Sequence, residues 1–311
     1  MFAGAMIVAL ALDACLGWPA ALFARIGHPV TWLGRLIATL DSRWNRGSPG
    51  RRRFAGAACA VVVISAAVLP AAGIAALLPG GWPGVVLTGL LAWPFIALRS
   101  LRDHVAAVAA PLGAGDLDGA RRAVARIVGR DPAKLDTVGI ARAAIESLAE
   151  NASDGIVAPV FWGALLGLPG VAGYKAVNTL DSMIGHRTPR HEQFGWASAR
   201  IDDLVNLFPA RLTALLFVLA APAPGRSLAA MRRDARRHRS PNAGWPEAAM
   251  AGALGIRLSG PRVYADRVAD EPWLNAGAPD PEAGDIRAAL RLAGHASVLM
   301  VAGLIGIAAF T

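Results

Sequence analysis

Charge is scarce in this chain, and so are the residues that usually build cross-links or enzymatic fingerprints. Only 17% of its 311 residues are Asp, Glu, Lys or Arg, against about 25% in soluble domains. With 55% hydrophobic residues and a mean hydropathy of +0.44, that shortage excludes an ordinary soluble enzyme. The expected class is all-α: a polytopic integral membrane helical bundle with helical cytoplasmic loops, one membrane-embedded domain over residues 1–311. Cysteine is nearly absent, and Cys15 and Cys59 lie in apolar segments without a CxxC pair. Disulfide frameworks and zinc sites are thereby excluded, leaving two small core residues. There is no GxxxxGK[ST] loop, no glycine fingerprint of a dinucleotide fold, no HExxH and no nucleophile elbow, which removes the standard nucleotide, zinc-protease and hydrolase readings.

Acids are also few, 22 against 31 bases, giving a net charge of +9. No basic helix with interleaved aromatics accompanies the excess, so nucleic acid is not an expected partner. The bases are 29 Arg and 2 Lys, clustered between apolar runs, as in cytoplasmic loops facing anionic membrane lipid. Expected spans are 1–18, 54–78, 85–98 and 293–310, with cytoplasmic loops 25–53, 99–155 and 226–292 and the N-terminus outside. Met1 to Leu12 lacks a preceding basic region and carries Asp13 just beyond it, so it reads as a retained helix and not a signal peptide. Two apolar runs, 156–171 and 212–221, are too short for clean crossings and are expected to be re-entrant or broken. Helices are expected over Asp116 to Val128, closed by Gly129 and Asp131-Pro132, and from Asp136 or Thr137 to Glu150. In the second, Arg142, Glu146 and Glu150 share a face, and Arg142 or a bound cation would offset the two acids.

Against this apolar background three polar clusters stand out: Glu150-Asn-Ala-Ser-Asp-Gly155, Tyr174-Lys-Ala-Val-Asn-Thr-Leu-Asp-Ser-Met183 and Arg200-Ile-Asp-Asp-Leu-Val-Asn206. Buried polar groups cost free energy unless satisfied, and a ligand is one satisfier. Helical spacing puts Tyr174, Lys175, Asn178, Asp181 and Ser182 on one stripe. The rarity of Lys marks Lys175 as a compact ammonium suited to phosphate. Only six Asn occur, and Asn151, Asn178, Asn206 and Asn242 fall in polar clusters, where amides both donate and accept. Asp154, Asp181 and Asp202 supply hard oxygens suited to magnesium, which takes one or two carboxylates plus phosphate oxygens. Ion pairing with Arg187, Arg200 or Arg211 is the alternative for each acid. Broken helices with polar residues also fit a membrane transporter or permease, although no internal repeat is visible.

These clusters, with Ala158-Pro159, the continuation to Ile184-Gly-His186, Phe194-Gly-Trp196, Ala199, Pro209-Ala-Arg211, His28-Pro-Val30 with Trp32 and Gly34, and Ser240-Pro-Asn-Ala-Gly-Trp-Pro-Glu-Ala-Ala-Met-Ala-Gly-Ala-Leu-Gly255, resemble the CobD/CbiB family of cobalamin (vitamin B12) biosynthesis over nearly the whole chain. Ser259-Gly260 departs from the Gly-Gly pair expected there. The resemblance implies adenosylcobinamide-phosphate synthase, an acid–amine ligase of the bacterial inner membrane with its site facing the cytoplasm. Such an enzyme joins adenosylcobyric acid to (R)-1-aminopropan-2-yl phosphate with ATP and magnesium, by way of an acyl phosphate. It further implies Glu150, Lys175 and Asp203 as catalytic residues, Glu150 or Asp203 being the base. Asp154, Asp181 and Asp202 would hold magnesium. Asn151, Ser153, Asn178, Ser182, His186, Arg200, Asn206, Arg211, Ser240, Asn242 and Glu247 would bind substrate or phosphate. Trp196 and Trp245 would be corrin surfaces or interfacial anchors. A noncatalytic subunit of a ligase complex, and partner enzymes of the cobalamin pathway, remain open alternatives.

Overall fold

The computed structural model describes residues 2–128, 134–264, 267–269 and 271–310. Fourteen α-helices are assigned among them: α1 (Phe2–Leu16), α2 (Ala20–Ile26), α3 (Pro29–Trp44), α4 (Pro49–Leu77), α5 (Gly81–Ala92), α6 (Leu98–Gly113), α7 (Leu117–Val124), α8 (Thr137–Ala152), α9 (Ala158–Leu180), α10 (Trp196–Val205), α11 (Leu207–Ala220), α12 (Pro224–Asp234), α13 (Gly244–Leu254) and α14 (Ala283–Ala309). Single π-turns, Ser153–Val157 and Asp181–Gly185, lie at the two ends of α9. The segment 226–292, expected to be helical, also holds two short antiparallel pairs. In these, β1 (Leu258–Ser259) pairs with β4 (Trp273–Leu274), and β2 (Arg262–Tyr264) pairs with β3 (Arg267–Ala269). Their length, two or three residues each, leaves no period-2 pattern to read.

Helix starts follow local chemistry. His28 caps α3, accepting from the Val30 N–H, with Pro29 at the first turn and Thr31 completing a capping box. Ser48 caps α4 ahead of Pro49. Asp136 caps α8 by accepting from Gly139 N–H at 2.7 Å, so the helix expected from Asp136 or Thr137 forms and runs to Ala152. Asp116 likewise caps α7. The expected break at Gly129 and Asp131-Pro132 lies outside the described residues.

Among the described residues, four helical stretches are long and apolar enough to cross a membrane: Pro49–Leu77, Gly81–Gly113, Thr137–Gly185 and Ala283–Ala309. Counting the bent pairs α1 with α2–α3 (108°) and α10 with α11 (46°) brings the total to six. The protein is therefore a polytopic, almost wholly helical membrane protein. The apolar run 156–171 lies inside the third stretch, where Gly167 leaves helical geometry (φ 68°, ψ −149°) two residues before Pro169, and 212–221 falls on α11 and the residue after it. The expected loop 99–155 is mostly helix, and α6 and α8 continue two of the candidate spans.

The chain divides into two compact units, each described here by itself. The first comprises residues 1–97, 158–206 and 304–311. Its core joins Ile37 and Leu40 of α3, Cys59, Ala60 and Val63 of α4, Ala176 and Leu180 of α9, Ile184 and Phe194. Cys59 is thus the expected core residue, whereas Cys15 is exposed. A Cβ at Gly56 would overlap the Phe194 carbonyl, so only glycine lets the segment after the second π-turn lie directly on α4. The second unit comprises residues 98–157 and 207–303. In it α11 and α12 pack on α13, α6 packs on α7 and α8, and α11 also rests on the first π-turn.

Candidate functional site

The clusters at 174–183 and 200–206 both belong to the first unit, where α10 packs against α9 and its π-turn. Lys175 Nζ donates to Asn178 Oδ1 at 3.1 Å. Thr179 Oγ1 donates to the Lys175 carbonyl at 2.6 Å and Ser182 Oγ to the Asn178 carbonyl at 2.8 Å, so these hydroxyls bond back into the helix. The π-turn widens the helix one residue beyond the regular spacing, and Asp181 opens it. A Cβ at Gly185 would overlap Asp181 Oδ1; glycine there makes room for the carboxylate. Asp181 lies within electrostatic reach of His186 and Asp203, and Asp203 within reach of Arg200 and Arg187. Arg200 Nη1 stands 3.5 Å from Asp203 Oδ2 across a largely exposed i,i+3 pair, a weak interaction in water.

Asn206 is not open to a ligand. It is buried, accepts from Tyr174 OH at 3.0 Å and donates to Asp202 Oδ2 at 3.0 Å, so it ties α9 to α10 and aims Asp202. Trp162 Nε1 adds a second tie to the Val205 carbonyl at 3.1 Å. His28 belongs to the same unit: its Nδ1 accepts the α3 cap bond at 3.2 Å, its ring hydrogen-bonds the Pro94 carbonyl, and Lys175 acts on it electrostatically. Trp196 carries the Arg53 guanidinium on its ring at 3.8 Å, leaving one face for any further stacking.

The second unit holds Glu150, Asn151, Ser153, Asp154, Arg211, Ser240, Asn242 and Glu247. Asn151 Nδ2 donates to the Ser147 carbonyl at 2.9 Å. Ser153 is buried and its Oγ has no hydrogen-bond partner among the described residues, while Asp154 follows it in the π-turn on which α11 rests. Arg211, on α11, donates to the Leu207 carbonyl at 2.6 Å and to Asn242 Oδ1 at 3.4 Å, and covers the Trp245 ring at 4.5 Å. Ser240 Oγ accepts from the Asn242 and Ala243 N–H groups at 3.3 and 3.1 Å, capping the turn before α13. Glu247, fully buried, faces His238 Nε2 at 3.7 Å.

The acids of α8 are offset differently from the expectation that Arg142 balances them. Glu146 is buried and accepts from the Ser259 N–H at 2.7 Å, whereas Arg142 pairs with Asp280. Asp280 also takes two bonds from Arg257, and Arg142 and Arg257 stack on Trp273 at 4.6 and 4.3 Å. The Arg257 hydrogen bonds, reinforced by Arg142, hold the Asp280 carboxyl below the usual carboxylate range.

Among the described residues no group of three or more His, Cys, Asp and Glu side chains forms a ready-made metal cage. Magnesium does not require one, because phosphate oxygens and water complete its shell. Asp181 with Asp203 nearby, and Asp202 held by Asn206, are hard-oxygen donors of the right chemistry to meet a magnesium–phosphate unit beside Lys175.

The sequence reading missed a cluster in the first unit. Asp41, buried on α3, accepts from Arg190 Nε and Nη2 at 3.0 and 2.6 Å and from Asn45 Nδ2 at 2.8 Å, with His191 Nε2 at 3.5 Å. Asn45 also donates to the Arg190 carbonyl at 2.9 Å and accepts from Arg52 Nε at 2.7 Å. Asn45 was open to the same scarcity argument that singled out four other asparagines.

The family profile described as "CobD/Cbib protein" matches residues 6–293. The chain is 65% identical over 309 residues to "Cobalamin biosynthesis protein CobD" of Rhodobacter capsulatus, covering 98% of each chain. It is 48% identical to the protein of that name from Brucella suis and 47% to that from Sinorhizobium fredii, in each case over 92% of this chain and 90% of the relative. No solved structure matches it.

Proposed function

The chain belongs to the CobD/Cbib family, and from that premise we propose that it is adenosylcobinamide-phosphate synthase, joining adenosylcobyric acid to (R)-1-aminopropan-2-yl phosphate in the cytoplasmic membrane. The observation that carries the site is the end of α9. There a lone lysine, held by Asn178 at 3.1 Å, stands on the same helix end as Asp181, with Asp202 and Asp203 brought in by α10.

Amide formation from a carboxylate needs its oxygen converted into a leaving group. In the proposed reaction the substrate carboxylate attacks the γ-phosphorus of ATP and ADP departs. The amine then attacks the acyl carbon, inorganic phosphate leaves, and the ammonium proton passes to a base. Lys175 and Arg200 meet the charge on the transferring phosphoryl oxygens, the largest contribution expected of fixed residues in such a transfer. Asp181 and Asp202 would hold magnesium, which would supply charge neutralisation at the phosphates. Asp203 accepts the proton. Asn178, Ser182 and His186 are the proposed substrate contacts in the first unit. Asn206 acts by orienting Asp202.

The test is incubation of the purified protein with both substrates, ATP and magnesium, following product mass and ADP release. Formation of the amide with one ADP per product supports the reading. Product only after addition of a second pathway protein would instead make this chain a subunit. Substrate-dependent flux in liposomes without product would favour transport, the reading that the helix break at Gly167 would serve.

A further inference from the structure

We infer that Asp41 is a positioning residue for the phosphate-handling end of the site, acting through the segment 186–195; this rests on the function proposed above. That segment follows the second π-turn and carries His186 and Arg187, the charges that act on Asp181 and Asp203. It has no regular secondary structure beyond turns, closed by bonds such as Glu192 N–H to the Thr188 carbonyl at 2.8 Å and Gly195 N–H to the His191 carbonyl at 2.7 Å. Left to those bonds it would sample many conformations, since ordering each residue costs about 1–2 kcal/mol of conformational entropy.

What holds it is α3 and α4. Asp41 receives both Arg190 nitrogens and has His191 beside it. Asn45 and Arg52 take the Arg190 carbonyl, and Arg52 also donates to the Pro189 carbonyl at 3.2 Å. At the far end Phe194 is buried in the core, against Gly56. The clamp therefore pins the middle and end of the segment, while Asp181–Gly185 fixes its start. Asp41 is the centre of this arrangement, because it supplies the negative charge that allows Arg52 and Arg190 to lie together. The Arg190 side chain is 62% exposed and the Asp41 side chain 11%; a buried carboxylate reaching for an exposed arginine makes sense as an anchor for the chain that carries it. Asp41 touches no proposed reacting group and acts through His186, the proposed contact to the phosphate of the amine substrate, with Arg187 beside it.

The experiment compares Asp41→Asn and Arg190→Ala with the full-length protein in detergent or nanodiscs. The second substitution sits on an exposed side chain and keeps the test informative if the first fails to fold. Loss of the anchor should raise KM for aminopropanol phosphate about tenfold, small displacements of substrate-positioning groups being costly. KM for adenosylcobyric acid should stay within about twofold of wild type, as should turnover of free aminopropanol, which lacks the phosphate. Hydrogen exchange of amides 186–195 should accelerate about tenfold while α4 and α9 keep their protection. A general fall in activity toward every substrate, or unchanged exchange in 186–195, overturns the inference. If wild type makes no product yet exchange accelerates as stated, the anchor stands and the proposed reaction fails. Normal wild-type turnover with no KM split and no change in exchange is the reverse outcome.

Discussion

Two acidic residues of the second unit are held differently from the charges at the end of α9. They sit in closed pairings. Asp234 is buried between Arg233 at 2.8 Å and Arg237 at 3.8 Å and accepts from the Asn275 N–H at 2.8 Å; Asp280 is shared by Arg142 and Arg257. Around the end of α9 in the first unit, Lys175 donates to the Asn178 amide at 3.1 Å and Asp203 stands 3.5 Å from Arg200 across a largely exposed pair. A buried ion pair that loses one partner is strongly destabilising, whereas a largely exposed pair contributes little in water. The proposed function places the scaffold with the first kind and the chemistry with the second.

The sharpest way to break the comparison is to alter both kinds of charge and watch different observables. Lys175→Arg and Asp181→Asn should each lower kcat by about 100-fold or more, the scale of losing one charge-stabilising group, without reducing folded yield. Retained turnover in both would remove the chemistry from the end of α9. Asp234→Ala should do the opposite. It leaves the Asn275 N–H without its acceptor and removes the partner of a half-exposed Arg233, destabilises the protein by about 1–2 kcal/mol in thermal or denaturant unfolding, and leaves kcat of the surviving folded protein close to wild type.

The same aspartate gives the comparison a pH arm. Burial alone would raise its carboxyl, but bonds from Arg233 and Asn275 and the charges of Arg233 and Arg237 outweigh burial and hold it below the ordinary 3.8. Its stabilisation is therefore fully present above that value and is lost as pH falls below it through the folded-state pKa. Wild type should lose an acid-dependent part of its stability there that Asp234→Asn lacks.

A comparable effect is expected from Tyr174→Phe, which leaves Asn206 Oδ1 without its donor. About 1–2 kcal/mol of stability should go, with a partial fall in turnover through Asp202. Smallest is Ser259→Gly. Ser259 has φ 60° and a buried hydroxyl with no hydrogen-bond partner among the described residues, so glycine should stabilise by about 1 kcal/mol, read as a rise in Tm. The departure from Gly-Gly thus has a physical meaning: this backbone favours glycine at 259, and serine occupies it under strain.

Much of the fold was legible because the membrane enforces it. Apolar length alone placed α4 and α14, and the capping residues Asp116 and Asp136 placed α7 and α8. The β-pairs were not legible, being too short for periodicity, and the π-turn at Asp181 replaced the regular stripe expected from 174 to 185. Within the site, scarcity of lysine and asparagine selected residues that do make specific contacts. It could not distinguish a ligand contact from an internal tie: Asn206 links Tyr174 to Asp202, and Asn275, at φ 57°, bonds the Ile256 carbonyl at 3.1 Å. Asp41 was invisible for a different reason. Its partners Arg190 and His191 lie about 150 residues away in the chain, and spacing arguments reach only one or two helical turns.

The central claim is that the end of α9 forms an amide bond. It is tested most directly by single-turnover assay of purified wild type and Lys175→Arg with adenosylcobyric acid, aminopropanol phosphate, ATP and magnesium. Wild type should release one ADP per amide formed and Lys175→Arg should release essentially none; equal rates for the two proteins, or ADP release without amide, would contradict the account.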